Sequence, residues 1–303
     1  MSMPLLHKLC LSAALLLALS ACTTQAQEVI NSQSQILQND PNNVSALIER
    51  GNAYRSSGDL ARALEDHNRA VSLAPESGRA HLARGEDYLR LNQYENALAD
   101  LDRALQLNPE LAEGYALRGE TRVRLQQNFE GALSDLERAI NAGQRTATVY
   151  NYLGQARFRL NQREAALQAF LTAAELDPES TTALDQAIEL GLSDAQLYIL
   201  RGRVRKNKRD YTRALSDLTQ ALRIDPQSAD AFEERADVYY AMGDCRRAEN
   251  DLRAACQLKG NRLCEAVSLN CNATASPSPT GSASPVSSPT PTPADTATVD
   301  LSP

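Results

Sequence analysis

The sequence predicts an all-α fold, a solenoid of six stacked helical hairpins, and three recurrences carry that expectation. Pro41, Pro75 and Pro109 stand 34 residues apart, and Pro178 and Pro226 end two later units. Ten residues after the end of each preceding unit comes Gly51, Gly85, Gly119, Gly154 or Gly202, and Ala236 takes that place in the last unit. Twelve and nineteen residues beyond these stand Ala63 and Ala70, Ala97 and Ala104, Ala166 and Ala173, Ala214 and Ala221, and Ala248 and Ala255. In the third unit Ala132 and Ala139 fall one place late, because the turn Gln126-Gln127-Asn128 holds an extra residue.

Between the small residues, apolar positions recur at helical spacing in two stretches per unit, separated by polar turns such as Ser56-Ser57-Gly58-Asp59. Proline ends the second helix because it cannot continue the hydrogen-bond ladder, while Gly and Ala let two helices approach closely. The pattern resembles the tetratricopeptide repeat, with units at 42–75, 76–109, 110–144, 145–178, 193–226 and 227–260. That resemblance implies a right-handed α-solenoid in which each unit touches mainly its neighbours. An insertion at 179–192 contains a helix-like run from Thr182 to Leu190, and the segment with Ile30, Ile36 and Leu37 is expected to cap the first unit as a lone helix.

The residue before each small residue is Arg50, Arg84, Arg118, Arg201 or Arg235, and the second helix answers with Asp66, Asp100, Asp135, Asp217 or Asp251. The fourth unit has Leu153 and Ala169 instead, so both partners vanish together. The expectation is an ion pair between the two helices of each hairpin, partly exposed and contributing ~0.5 kcal/mol apiece.

The N-terminus reads as an address. Lys8 precedes an apolar run from Leu9 to Ala21, too short to span a bilayer and suited to a signal peptide, 1–21. Leu19-Ser20-Ala21-Cys22 resembles the bacterial lipobox, which implies that Cys22 is acylated and anchors the mature chain, with residues 22–41 forming the anchor segment and capping helix. Thr23 in place of Asp after the anchor implies the outer membrane, facing the periplasm.

At the far end Cys245, Cys256, Cys264 and Cys271 remain for an exported chain to oxidise. If Gly260 marks a turn between antiparallel helices, Cys256 faces Cys264 and Cys245 faces Cys271, which staples a helix at 261–271 onto the array. The same spacing opposes a zinc site, since ligands about 16 Å apart along a helix cannot meet at one ion. Residues 272–303 are rich in Ser, Thr, Pro and Ala and are expected to be disordered, as an envelope spacer or simply a tail.

Composition narrows the function. The 303 residues carry 38 acidic against 31 basic side chains, a net charge of -7 that opposes nucleic acid as a partner. Only three histidines occur, and no phosphate loop, His-Glu-x-x-His or Gly-x-Ser-x-Gly is present, so the expectation is no enzyme, no metal and no cofactor. In arrays of this family the first helices line the concave surface, so the resemblance assigns to it the places one, four and five after each small residue. Arg90, Arg124 and Arg159 recur there in three successive units, Arg203 and Lys206 extend the row, and Leu89, Val123, Phe158 and Tyr240 supply apolar contact. The row is read as a basic strip for an acidic or C-terminal segment of a protein partner in the cell envelope, against Glu86 and Glu120 and with solvated helix faces as the alternative. A binding protein for cell-wall glycan or peptide fragments is the second functional reading.

Overall fold

The computed structural model describes residues 25–260, which form fourteen helices and no strand. Residues 1–24, expected to hold the signal peptide and Cys22, and residues 261–303, with Cys264, Cys271 and the Pro-rich stretch, lie outside the described residues. Helix α1 spans 25–39 and lays Ala26, Ile30 and Leu37 against the array, while Ile36 remains 42% exposed and takes no part in the cap. Four hairpins follow: α2 (Val44–Ser56) with α3 (Leu60–Leu73), α4 (Gly78–Arg90) with α5 (Tyr94–Leu107), α6 (Ala112–Arg124) with α7 (Phe129–Asn141), and α8 (Ala147–Arg159) with α9 (Arg163–Leu176). After the lone helix α10 (Thr182–Glu189) come α11 (Ala195–Asn207) with α12 (Tyr211–Ile224), and α13 (Ala229–Ala241) with α14 (Cys245–Leu258).

Local chemistry sets these boundaries. Asn43, Ser77, Thr146 and Ser228 each accept a hydrogen bond from the amide three residues on, capping α2, α4, α8 and α13. Asp59, Asp210 and Asp244 do the same for α3, α12 and α14. Inside each hairpin one residue turns left-handed, namely Gly58, Asn92, Asn161, Arg209 or Gly243, and the longer third turn uses two, Gln126 and Asn128.

The recurring glycine has a packing cause. A large side chain of the second helix lies directly over it: Leu101 over Gly85, Leu136 over Gly119, Phe170 over Gly154 and Leu218 over Gly202. All four covering side chains are fully buried, and truncating any one to Ala would cost about 2–5 kcal/mol. The alanines of the second helices are equally buried and bring neighbouring units into contact.

The insertion behaves as a helix with two roles. Toward the preceding unit, Gln155 on α8 donates to Gln186 at 2.7 Å across 31 residues, the spacing at which Arg203 of α11 meets Glu234 of α13. Toward the following unit, Arg201 donates to Asp185, sixteen residues back, as Arg118 does to Asp102, Arg84 to Asn68 and Arg50 to Ser34. Helix α10 therefore stands as a first helix to the unit before it and as a second helix to the unit after it. Its Leu184 and Ala187 are fully buried, in one apolar cluster with Phe170 and Leu197.

Candidate functional site

The first helices form the inner wall. Neighbouring first helices touch one another, α2 with α4, α4 with α6, α6 with α8 and α11 with α13, whereas second helices make no comparable contact with each other. An array whose first helices crowd together curves around them, which places the row from Arg55 to Tyr240 along a groove.

Behind this wall, each hairpin except the fourth holds a two-pronged Arg–Asp pair. Arg50 meets Asp66, Arg84 meets Asp100, Arg118 meets Asp135, Arg201 meets Asp217 and Arg235 meets Asp251, with shortest contacts of 2.7 Å. The pairs are partly exposed on the Arg side, whose side chains are 14–21% exposed, while the five carboxylates are only 3–6% exposed. The Asp residues face inward beside the buried alanines of the second helix, so the carboxylate half of each pair belongs to the core. The Arg50, Arg84 and Arg235 guanidiniums are held above their ordinary value, first by hydrogen bonds to Asp66, Asp100 and Asp251 and against the opposing pull of desolvation. In the fourth hairpin Leu153 and Ala169 share an apolar cluster instead.

The groove row is not the basic strip that its arginines suggest. Arg90 bonds Glu86 at 2.9 Å and Arg124 bonds Glu120 at 2.9 Å, each one turn along its own helix. Lys206 lies 2.7 Å from Glu234 and 2.8 Å from Asp237, and Arg203 bonds the same Glu234. Arg55 joins Glu86 and Asp87 on the next first helix. Arg159 is exposed beside the Phe129 ring, and no carboxylate lies within bridging distance of it among the described residues. The strip is thus a ladder of opposite charges: Arg90 and Arg124 meet acids one turn back on their own helices, while Arg55, Arg203 and Lys206 meet acids 31 residues on, where one first helix faces the next.

Two of the apolar groove residues are also placed elsewhere. Leu89 and Val123 are each 6% exposed and pack in the hairpin cores, whereas Arg55 and Lys206, at the same place in their units, reach out to acids on the next first helix. Phe158 and Tyr240 remain half-buried on the first helices.

Rings that the sequence did not single out complete the middle of the wall. Arg124 lies over the Tyr94 and Tyr152 rings, at 5.8 and 5.5 Å from their centroids. Desolvation and then the Glu120 charge push the Tyr152 hydroxyl well above its ordinary value. Nearby, the Glu113 carboxyl is raised, first by desolvation and then by Glu86 on the neighbouring first helix, with Arg55 opposing.

His67 and His81 do not share a site. His67 places Nδ1 2.5 Å from Asp87 and Nε2 3.2 Å from the Ile48 carbonyl, while His81 places its nitrogens 2.9 Å from Asp100 and 3.0 Å from the Pro75 carbonyl. Each ring joins its own carboxylate inside the array. No group of three metal-ligating side chains occurs among the described residues, and no helix there is long and apolar enough to cross a membrane. Cys245 and Cys256 stand at opposite ends of α14, about 16 Å apart along its axis and too far to bond each other, and neither is without a partner.

Sequence models of the family described as Tetratricopeptide repeat match residues 44–77, 78–111, 147–180 and 195–228. No curated protein matches the sequence. Among solved structures, MamA is similar at 26% identity over 49% of this chain and 86% of that one, with a TM-score of 0.42. YrrB, described as a TPR protein with an unusual peptide-binding site, is similar at 23% identity over 66% of this chain and 96% of that one, with a TM-score of 0.38. A tetratricopeptide repeat protein from Parabacteroides merdae is similar at 20% identity over 78% of this chain and 88% of that one, with a TM-score of 0.44.

Proposed function

The chain belongs to the tetratricopeptide repeat proteins, and from that premise we propose that it is a non-catalytic scaffold of the bacterial cell envelope that holds a polypeptide segment of a partner in its groove. One observation carries the reading: most charged side chains of the wall already sit in ion pairs, and those of Arg55, Arg203 and Lys206 cross from unit to unit. A wall ordered in advance loses little side-chain entropy when a segment lies down on it. The alternation of Glu86, Glu120, Glu234 and Asp237 with the bases favours a segment of mixed charge over a purely acidic one.

In this proposal Cys22 carries the lipid that keeps the scaffold at the membrane, on the lipobox-like Leu19-Ser20-Ala21-Cys22, and the outer membrane facing the periplasm is its site. The pairs Cys256 with Cys264 and Cys245 with Cys271 close the C-terminal end.

The test is crosslinking and affinity capture of the full chain from its own membranes. It is run beside Cys22→Ser and a form with Arg90, Arg124 and Arg159 changed to Ala. The expected result is a defined partner that the groove variant loses while its helical circular dichroism persists, and membrane association that Cys22→Ser abolishes. A partner retained in full by the groove variant would remove the groove from the mechanism.

A further inference from the structure

Between the fourth hairpin and α10 the inner wall opens into a cavity of about 350 Å³. Its walls come from α6, α8, α9 and α10, including Arg124, Thr148, Asn151, Asp177, Thr182 and Gln186. The cavity owes its far wall to the insertion, since Thr182 and Gln186 belong to the helix that no other unit possesses. Asn151 lines the cavity at 8% exposure, and its Oδ1 is the one buried side-chain oxygen or nitrogen without a hydrogen-bond partner among the described residues. The other buried polar side chains of the array are hydrogen-bonded, as folding requires of them.

An unpaired amide oxygen at a cavity wall asks for a donor, and the surroundings restrict which. A free anion is disfavoured, because Arg124 already bonds Glu120 and Asp177 adds an opposing charge to the lining. An apolar ligand would leave Asn151 as it is. In an extended chain the N–H and C=O of one residue point to the same side, the complement of a carboxamide that offers an acceptor and an N–H donor side by side. We propose that Asn151 and the α10 wall form a subsite that grips the backbone of an extended, uncharged stretch of a partner peptide. This rests on the scaffold reading and fixes where in the groove the segment is held.

The experiment selects decapeptides from a random displayed library on the immobilised full-length chain, then measures the synthesised winners against the parent, Asn151→Leu and Thr148→Trp. Asn151→Leu removes the acceptor at nearly constant size, and Thr148→Trp obstructs the mouth from an exposed position that packing does not constrain. The expected result is at least tenfold weaker peptide binding by both variants, with an unchanged or higher melting temperature for Asn151→Leu, because an unpaired buried amide is gone. Peptides bound equally by the parent and a folded Thr148→Trp would overturn the subsite while leaving the groove reading intact. A parent that enriches no peptide would overturn both.

Discussion

At the scale of single residues, the Arg–Asp pairs decide what the hairpins tolerate. A carboxylate buried as deeply as Asp251 depends on its guanidinium, so Arg235→Ala should destabilise the fold by about 3–5 kcal/mol. The fourth unit supplies the repair. Changing Arg235 to Leu and Asp251 to Ala together copies Leu153 and Ala169, and denaturation should recover most of the loss. Equal losses for the single and the double variant would contradict that account. Glu113 offers a pH test of the groove. Its carboxyl is raised in the folded chain above the ordinary value of 4.5, so the ionised form weakens the fold at neutral pH. That penalty is full above the raised value and disappears as pH falls toward 4.5. Glu113→Gln should therefore be the more stable form in urea at pH 7, with the difference vanishing near pH 4.

At the scale of the helix, the hairpin turns on a glycine with a large side chain across it. A methyl group on Gly119 would sit 2.6 Å from Leu136 Cγ, so Gly119→Ala should cost about 1–3 kcal/mol and lower the thermal midpoint. The helices and their pairing were legible in the sequence because small residues recur wherever backbones approach, and the period survives the extra residue in the third turn. The joint loss at Leu153 and Ala169 likewise disclosed the pairing of Arg with Asp. The groove was less legible. Glu86 and Glu120 stood in the sequence as counterweights one turn before Arg90 and Arg124, but counting arginines down one row could not show that Glu234 on the next unit meets both Arg203 and Lys206. The clue was present as a spacing of 31 residues, three short of the repeat, which links Arg55 to Glu86 and Arg203 to Glu234. Leu89 and Val123 were misplaced because one place in the repeat serves both sides: apolar side chains there fold into the core, while Arg55 and Lys206 reach the groove acids. Asn151 left no trace in the sequence, because a lone Asn on an amphipathic helix is indistinguishable from a solvated one until the neighbouring helix is in place.

At the scale of the whole molecule, stability is a chain of nearest-neighbour terms, and most joints between units repeat the same contacts. The joint at α10 is the exception. Elsewhere the second helix of one unit packs directly on the first helix of the next, but here eight residues supply most of what passes between α9 and α11. A cooperative transition that spreads along the array must cross that short helix, whose own formation depends on the apolar cluster around Leu184. Four hairpins on one side and two on the other are thus coupled in series through a single fuse, and a cut within 179–192 would leave two arrays that melt independently.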